Sequence, residues 1–378
     1  MIERAAVVYD CLFPLSLGGG ERVYRRLAEL LVERGVATDY VTRTFGDPEL
    51  LTTFRVVGVW RGEIYDRRGV RTTTGALAYA FGVWRYFLRR RREYDIVLAS
   101  ALPVLTALAV RFALLGSRTR VIADWLEVWS PAKWRAYSGV VSGTIAYVLQ
   151  SLTARVIREH SVNSRFTAER LSRYRPRRPP VVLRLLDMVS AGTPVPAQTP
   201  PYLAFVGRLI ADKGADAIPP ALAVARREFP TLRAVIIGEG PERERIVAQV
   251  TRAGMEPFID LLARVPDARL DELRAGAAVL VSPSIREGFG LAVAEASAWG
   301  VPAVVVAHED NAAVDLVEEG VNGFVVAPGD PQALAAGIVE AIRGGSELRR
   351  STAQWFAGAR IARSLSASLD ALLNEPRR

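Results

Sequence analysis

Cysteine occurs once in this 378-residue chain, as Cys11, which excludes an internal disulfide and any metal cluster built on thiolates. Histidine is almost as scarce: only His160 and His308 offer an imidazole, and neither stands in a convincing Ser-His-Asp or Cys-His arrangement. Lysine is reduced to Lys133 and Lys213 among 49 basic residues, so a lysine that survives is one whose compact point charge arginine would not reproduce. Long apolar runs are also missing. The longest, Ile96–Leu115, is interrupted by Pro103 and Arg111 and reads as a buried strand followed by a core helix rather than a membrane span. No signal-peptide pattern separates Met1 from the strand-like Ala5–Tyr9, so a cytoplasmic location is the expectation.

Half of the residues are hydrophobic and a quarter are charged, enough for two domains with separate cores. The net charge of +9 is spread along the chain as arginine, without a nucleic-acid-binding module. It fits a phosphate-bearing ligand or an anionic membrane surface better than nucleic acid.

Short β-branched runs alternate with helical patterns. The first series is Ala5–Tyr9, a helix over about Glu21–Arg34, Ala37–Thr42, Phe54–Val59, a helix over Gly75–Arg92, Ile96–Ala99, Val121–Ala123, His160–Asn163, a helix over Arg165–Tyr174, and Val181–Leu183. After the Pro-rich 191–201 the alternation restarts with Leu203–Val206, Leu232–Ile237, Ile259–Leu262, Ala278–Val281, Ala303–Val306 and Phe324–Val326. Such alternation predicts two doubly wound parallel sheets, an α/β architecture of two Rossmann-like domains. The expected division is 1–190, a linker at 191–201, 202–345, and a C-terminal helical segment 346–378 that crosses back to the first domain. Open α/β sheets bind ligands at the carboxyl ends of their strands, so the expected site is a cleft between the domains.

One segment concentrates chemistry. Ser282-Pro-Ser-Ile-Arg-Glu-Gly-Phe-Gly-Leu-Ala-Val-Ala-Glu295 sets Glu287 in a glycine-rich turn and Glu295 within the following helix. Gly288 and Gly290 allow close backbone approach, the free amides of a helix start attract an anion, and two carboxylates accept hydrogen bonds from hydroxyls. A ligand with phosphate and sugar, a nucleotide sugar, suits that layout. Upstream, Arg208 and Lys213 follow the strand Leu203–Val206, where positive charge beside a helix start opposes the macrodipole and is hard to explain structurally.

Taken together, Phe205-Val-Gly-Arg-Leu-Ile-Ala-Asp-Lys-Gly214, Ile237-Gly-Glu-Gly-Pro241, Glu287–Glu295 and Gly300-Val-Pro302 resemble the donor half of retaining glycosyltransferases of family 4, also called glycosyl transferases group 1. These enzymes have the GT-B fold and are typified by sucrose synthases, phosphatidylinositol mannosyltransferases and glycogen synthases. Leu17-Gly-Gly-Gly-Glu-Arg22 resembles the family's first strand-to-helix loop. The resemblance implies that Arg208 and Lys213 hold the donor diphosphate, that Glu287 contacts the sugar and that Glu295 contacts the ribose. It further implies that Gly288, Phe289, Gly290 and Leu291 meet the phosphates by their amides. Gly18, Gly19 and Gly20 would approach the phosphates and acceptor, with Gly207 and Glu239 along the nucleotide. The implied reaction moves a hexosyl group from a UDP- or GDP-linked sugar to a lipid or saccharide hydroxyl, with the nucleotide sugar as co-substrate and no separate cofactor. The other major transferase fold usually displays an Asp-x-Asp pair for a metal; none occurs here, so a metal-independent reaction is expected.

The acceptor side departs from the family. Many relatives carry a histidine where this chain has Leu126, within Ala123-Asp-Trp-Leu-Glu-Val-Trp129, leaving Asp124 or Glu127 to take an acceptor contact. A sugar-nucleotide epimerase on the same fold and a nucleotide-sugar-binding protein without turnover are the alternatives. Between Val59 and Arg92, the apolar series Leu77, Phe81, Trp84, Leu88 is bordered by Arg85, Arg89 and Arg92, with Trp60, Arg61, Arg67, Arg68 and Arg71 upstream. That pattern suits either an anionic bilayer at the inner face of the membrane or an ordinary core-facing helix with a basic edge.

Overall fold

The computed structural model describes residues 2–16, 18–45, 50–64 and 72–374. The chain divides into two units, residues 1–188 with 365–378, and residues 189–364.

The first unit is built on seven parallel strands: β1 (Arg4–Val8), β2 (Ala37–Thr42), β3 (Arg55–Gly58), β4 (Ile96–Ser100), β5 (Arg120–Trp125), β6 (Glu159–Val162) and β7 (Val181–Val182). Their order across the sheet is β3-β2-β1-β4-β5-β6-β7. β4 lies at the centre and reads Ile-Val-Leu-Ala-Ser with every residue buried, as a parallel strand covered on both faces requires. The edge strand β3 is mostly exposed. Helices α1 (Gly19–Glu33), α2 (Thr73–Arg89), α3 (Leu105–Ala113), α4 (Pro131–Ser138), α5 (Val140–Val156) and α6 (Arg165–Ser172) lie between the strands. Several start where a hydroxyl caps them: Thr72 Oγ1 accepts from Gly75 N at 3.3 Å, Ser130 Oγ from Lys133 N at 3.3 Å, and Ser164 Oγ from Thr167 N at 3.1 Å. Val8, Val97, Ala99 and Trp125 of the sheet pack under Tyr79, Val83 and Phe87 of α2 and Val110 of α3.

The second unit repeats the plan. Strands β8 (Tyr202–Val206), β9 (Arg233–Ile237), β10 (Ile259–Leu262), β11 (Val279–Ser282), β13 (Ala303–Val306) and β15 (Gly323–Val326) form a parallel sheet ordered β10-β9-β8-β11-β13-β15. Two short strands, β12 (Arg286–Glu287) and β14 (Asp310–Asn311), pair separately. Helices α7 (Ile218–Ala225), α8 (Arg243–Arg252), α9 (Asp267–Ala275), α10 (Leu291–Ala298) and α11 (Pro331–Ala362) complete it, α11 breaking at Gly345 where φ is 47°. Leu203, Phe205, Ile236, Val279 and Val304 of the sheet meet Ile218, Leu222, Leu334 and Ile338. Both units therefore wind outward in two directions from a central pair of strands, β1/β4 and β8/β11. The loops leaving the carboxyl ends of those strands flank a switch point where such sheets bind ligands.

Each strand anticipated from the pattern has a counterpart, and so do the helices after β1, before β4 and after β6. The stretch between β5 and β6 does not follow the simple reading: it holds the two helices α4 and α5, joined at Gly139. The Pro-rich 191–201 is no free tether. Gly192 N donates to Ala298 O at 3.1 Å, Gln198 N to Gly276 O at 2.9 Å, and Arg349 Nη2 to Val195 O at 2.5 Å, all within the second unit. Helix α12 (Leu365–Asn374) belongs to the first unit, where Arg34 Nε meets Asp370 at 2.7 Å and Arg120 Nη1 donates to Leu373 O at 2.8 Å.

Candidate functional site

In the second unit, the chain leaves β8 at Gly207 and is immediately held by the loop that leaves β9. Gly207 N donates to Ile237 O at 3.1 Å and Leu209 N to Glu239 O at 2.8 Å. The two backbones are so close that a Cβ on Gly238 would stand 1.9 Å from the Gly207 carbonyl oxygen, and one on Gly240 2.2 Å from that of Leu209. These glycines are required by backbone contact, and the contact fixes where Arg208 and Glu239 emerge; both are exposed. Among the described residues, the Arg208 guanidinium makes no ion pair, which leaves a cation facing solvent at the end of a central strand.

The next turn, 211–214, is tied to the loop leaving β11. Ile285 N donates to Asp212 O at 3.0 Å, Arg286 Nε pairs with Asp212 Oδ2 at 3.0 Å, and Gly214, at φ 62°, lies where a Cβ would stand 2.5 Å from the Pro283 carbonyl oxygen. This docking brings Lys213 Nζ into an ion pair with Glu287 Oε1, which also accepts from Ser284 Oγ at 3.1 Å. The pair is partly open, with 21% of the lysine and 16% of the glutamate side chain exposed. Glu287 is steadied from its other side by the pairing of β12 with β14, in which it stands opposite Asn311. Asn311 is buried and spends its amide on Val306 O at 2.8 Å and Ala313 N at 3.1 Å.

The glycine-rich segment then turns into α10. Gly290 adopts φ 96°, and a Cβ there would fall 2.6 Å from that of Ala313, so only glycine lets the helix start this close to the turn after β14. Gly288, Phe289 and Leu291 are partly exposed around this start, whose first amides have no carbonyl of their own helix to bond. Glu295, one turn further, accepts from Arg274 Nη2 at 2.9 Å; Arg274 is buried and also pairs with Asp271 at 2.9 Å. His308 turns its Nδ1 to the Asp310 amide at 3.2 Å, a local turn contact. The loops after β8 and β11 thus carry the Lys213–Glu287 and Arg286–Asp212 pairs, with the exposed Arg208 on the first of them and α10 beginning after the second, groups suited to an anion beside hydroxyls.

The first unit treats its candidates differently. Gly18 precedes α1 in extended backbone and Gly19 opens the helix. A Cβ on Gly20 would stand 2.8 Å from Leu126 Cδ1, so the leucine at the departure from the family pattern packs against the first turn of α1. Asp124 is 2% exposed, and its carboxylate accepts from Tyr24 OH at 2.6 Å and Ser161 Oγ at 2.5 Å. Burial pushes its carboxyl up to about 6 against the pull of those two hydrogen bonds. Its carboxylate ties α1 to the sheet through these two hydroxyl donors. Glu127 is half-buried and takes the Trp129 indole N–H. His160 is structural, accepting from Trp125 Nε1 at 3.1 Å with Nε2 3.1 Å from Ala154 O, and burial pulls it down to about 4.

Helix α2 turns Tyr79, Val83 and Phe87 to the core. Leu77, Phe81 and Leu88 are 53%, 61% and 37% exposed; Trp84 is half-buried and stacks on Phe81 at 5.7 Å, and Arg85, Arg89 and Arg92 are exposed. The apolar series is therefore the outward face of the helix. Trp60 and Arg61 fall within the described residues; Arg67, Arg68 and Arg71 lie outside them.

The residues that sequence patterning missed are the partners: Asp212, Ser284, Arg286, Asn311 and Arg274. Several of these contacts join segments distant in sequence, as with the 21 positions from Arg274 to Glu295 and the 74 from Lys213 to Glu287, and no local periodicity marks them.

Comparison with known proteins bears on the whole chain. The family model for glycosyl transferases group 1 matches residues 193–354, and that for a glycosyl transferase 4-like domain matches 18–185. The D-inositol 3-phosphate glycosyltransferase of Segniliparus rotundus is 32% identical over 151 residues, 39% of this chain and 33% of that protein. The GDP-mannose-dependent alpha-(1-6)-phosphatidylinositol monomannoside mannosyltransferase of Mycolicibacterium smegmatis is 30% identical over 165 residues, 42% of each chain. The matched segments thus span less than half of these relatives. Among solved structures, the sucrose-phosphate synthase of Thermosynechococcus elongatus has a TM-score of 0.80 at 18% identity, covering 98% of both chains, which establishes a shared fold of the GT-B type. With one family model on each unit, in this order and over most of the chain, the protein belongs to the glycosyltransferases that join a 4-like domain to a group 1 domain.

Proposed function

We propose that this protein is a retaining, metal-independent glycosyltransferase that moves a hexosyl group from a UDP- or GDP-linked sugar to a hydroxyl of a lipid or saccharide. The observation that carries the reading is the Lys213–Glu287 pair, formed between the loops after β8 and β11, which are locked backbone to backbone. Arg208 and Lys213 would neutralise the charge that grows on the diphosphate as the bond from the sugar C1 breaks, the kind of preorganised electrostatic support that lowers such barriers. The amides of Gly288–Leu291 add to it. Glu287 would orient the sugar and Glu295 the ribose, with Gly18–Gly20 near the phosphates and acceptor. The acceptor oxygen forms its bond to C1 on the face the diphosphate leaves, and the departing phosphate oxygen takes the acceptor's proton. No separate nucleophile, base or cofactor is then needed.

Support for the donor comes from the relatives and neighbours: the mannosyltransferase above is named as GDP-mannose-dependent, and HepE of Anabaena, a protein of like fold with a TM-score of 0.70 at 19% identity, was solved with UDP and glucose. The outward apolar series of α2 and its arginines support docking of the first unit on an anionic bilayer, where a lipid acceptor would be met. One observation favours binding without turnover: the apolar Leu126 beside Gly20. A thermal-shift screen of nucleotide sugars followed by transfer assays decides among these. Transfer by the wild type that is lost in Lys213→Ala and Glu287→Ala supports the enzyme, whereas tight donor binding without turnover under every acceptor tried refutes it.

A further inference from the structure

Helix α5 is built inside out. It buries Gly143, Gln150, Ser151, Thr153 and Ala154, packs Leu149 and Val156 partly against the core, and exposes five aliphatic residues: Val140 at 72%, Val141 at 73%, Ile145 at 55%, Val148 at 57% and Leu152 at 37%. From Val141 onward the exposed positions advance by four, three and four residues, one stripe of a helix. An amphipathic helix on a globular domain ordinarily does the reverse. The orientation is enforced by the buried Gln150, whose Oε1 accepts from Trp129 N and Trp134 Nε1, both at 3.0 Å, while its Nε2 donates to Trp129 O at 2.8 Å and Tyr174 OH at 3.0 Å. Rotating the stripe inward would break all four bonds and bury the amide unpaired. Gly143 sets the depth, since a Cβ there would stand 2.3 Å from Trp134 O of α4.

The charge carried by the two helices is of one sign. Neither α4 nor α5 contains an aspartate or glutamate, and between Glu127 and Glu159 the only charged residues are Lys133, Arg135, Arg155 and Arg158. Helices α2 and α3 are likewise free of acidic residues.

We propose that the α4–α5 hairpin is a membrane-docking element whose aliphatic stripe enters the headgroup boundary of an anionic bilayer while its basic residues meet lipid phosphates. An exposed apolar face on helices whose charged residues are all basic is complementary to such a surface. A second copy of this chain fits less well, because a two-fold contact through the stripe would set basic helices against basic helices. The inference extends to a second helix the bilayer reading given for α2, but it stands on its own residues.

Flotation with vesicles of phosphatidylglycerol or of phosphatidylcholine alone tests it. The wild type is expected to float with the anionic vesicles and not the neutral ones, and Ile145→Glu with Val148→Glu to weaken that binding at least about tenfold. Ile145→Ser with Val148→Ser, a milder change at the same exposed sites, should weaken it in the same direction and serves where the charged pair disturbs folding. Unchanged binding in both double variants overturns the inference. Loss in Phe81→Glu alone would leave the α2 reading standing and this one refuted. Absence of binding by the wild type refutes it too, as does a wild-type dimer that the double variants dissociate. Donor binding by thermal shift should be the same in the double variants, which separates this result from the glycosyltransferase reading.

Discussion

The two units share a strand order and differ in what they do with charge. The second unit leaves its charged loops open: Arg208 is exposed, and Lys213, Glu287, Asp212 and Arg286 form partly accessible pairs on loops fixed by backbone contact. The first unit seals its candidate carboxylate, with Asp124 buried under Tyr24 and Ser161, and turns aliphatic side chains outward instead. One winding pattern thus supports open, loop-borne ion pairs in one unit and exposed aliphatic helix faces in the other. The sheet sets where loops emerge; the loops and outer helix faces set the chemistry.

The largest effect should come from the exposed Arg208 and the partly open Lys213 of the second unit. Arg208→Ala or Lys213→Ala is expected to lower transfer by about 10²–10³-fold with the fold retained, the magnitude typical of losing one preorganised charge contact. Steady-state kinetics with the donor found by the thermal-shift screen checks this. Asp124→Asn, by contrast, should leave transfer within about tenfold, since its carboxylate supports α1 rather than a ligand. An equal loss in both would break the contrast between the units.

Backbone contact in the second unit gives the next effect. Gly238→Ala places a methyl group against the Gly207 carbonyl and is expected to cost about 3 kcal/mol in urea unfolding, together with donor binding. Gly35→Ala, in the first unit, meets no atom within 4 Å and carries only the strain of φ 76°, so about 1 kcal/mol is expected. Similar costs for the two would show that the loops of the second unit are softer than their packing implies.

The buried groups of the first unit make opposed contributions to stability as pH falls. His160 titrates near 4 in the folded chain against 6.5 unfolded, so acidification from neutral toward about pH 5 favours the unfolded state by about 2 kcal/mol. Asp124 titrates near 6 folded against 3.8 unfolded, so the same change relieves about 1 kcal/mol of its burial penalty. Asp124→Asn should therefore lose more stability than the wild type on acidification, and His160→Gln should lose less. Urea unfolding followed by circular dichroism at the two pH values measures both. The smallest effect is predicted for Ile145→Ser on folding stability, within about 0.5 kcal/mol, because its side chain already faces water.

Much of the fold was legible in the chain. Runs such as Ile96–Ser100 and Ala303–Val306 are apolar without alternation, which only a parallel strand covered on both faces explains, and the glycine-rich turns mark where such strands end. The site was legible as a set of motifs but not as an arrangement. Lys213 and Glu287 were each singled out, yet nothing local to either shows that they pair, or that Asp212 and Arg286 fasten their loops. Asp124 is named in the sequence for its place beside Leu126, where relatives carry a histidine, and nothing local shows its partners Tyr24 and Ser161, which lie 100 and 37 positions away. Helix α5 escaped for a related reason: its buried face is polar and small, so hydrophobic periodicity alone does not say which side faces inward.

The sequence by itself determined the two parallel sheets, the residue types at the switch-point loops and the glycyl positions that carry them, because period, burial and turn chemistry act between near neighbours along the chain. Only the tertiary structure decided which carboxylate is open and which is sealed, which cation has a partner, and that the aliphatic stripe of α5 faces outward. Those outcomes depend on contacts between segments far apart in the chain, where the cost of leaving a buried polar group such as Gln150 or Asp124 unpaired outweighs the pull of apolar side chains toward the core.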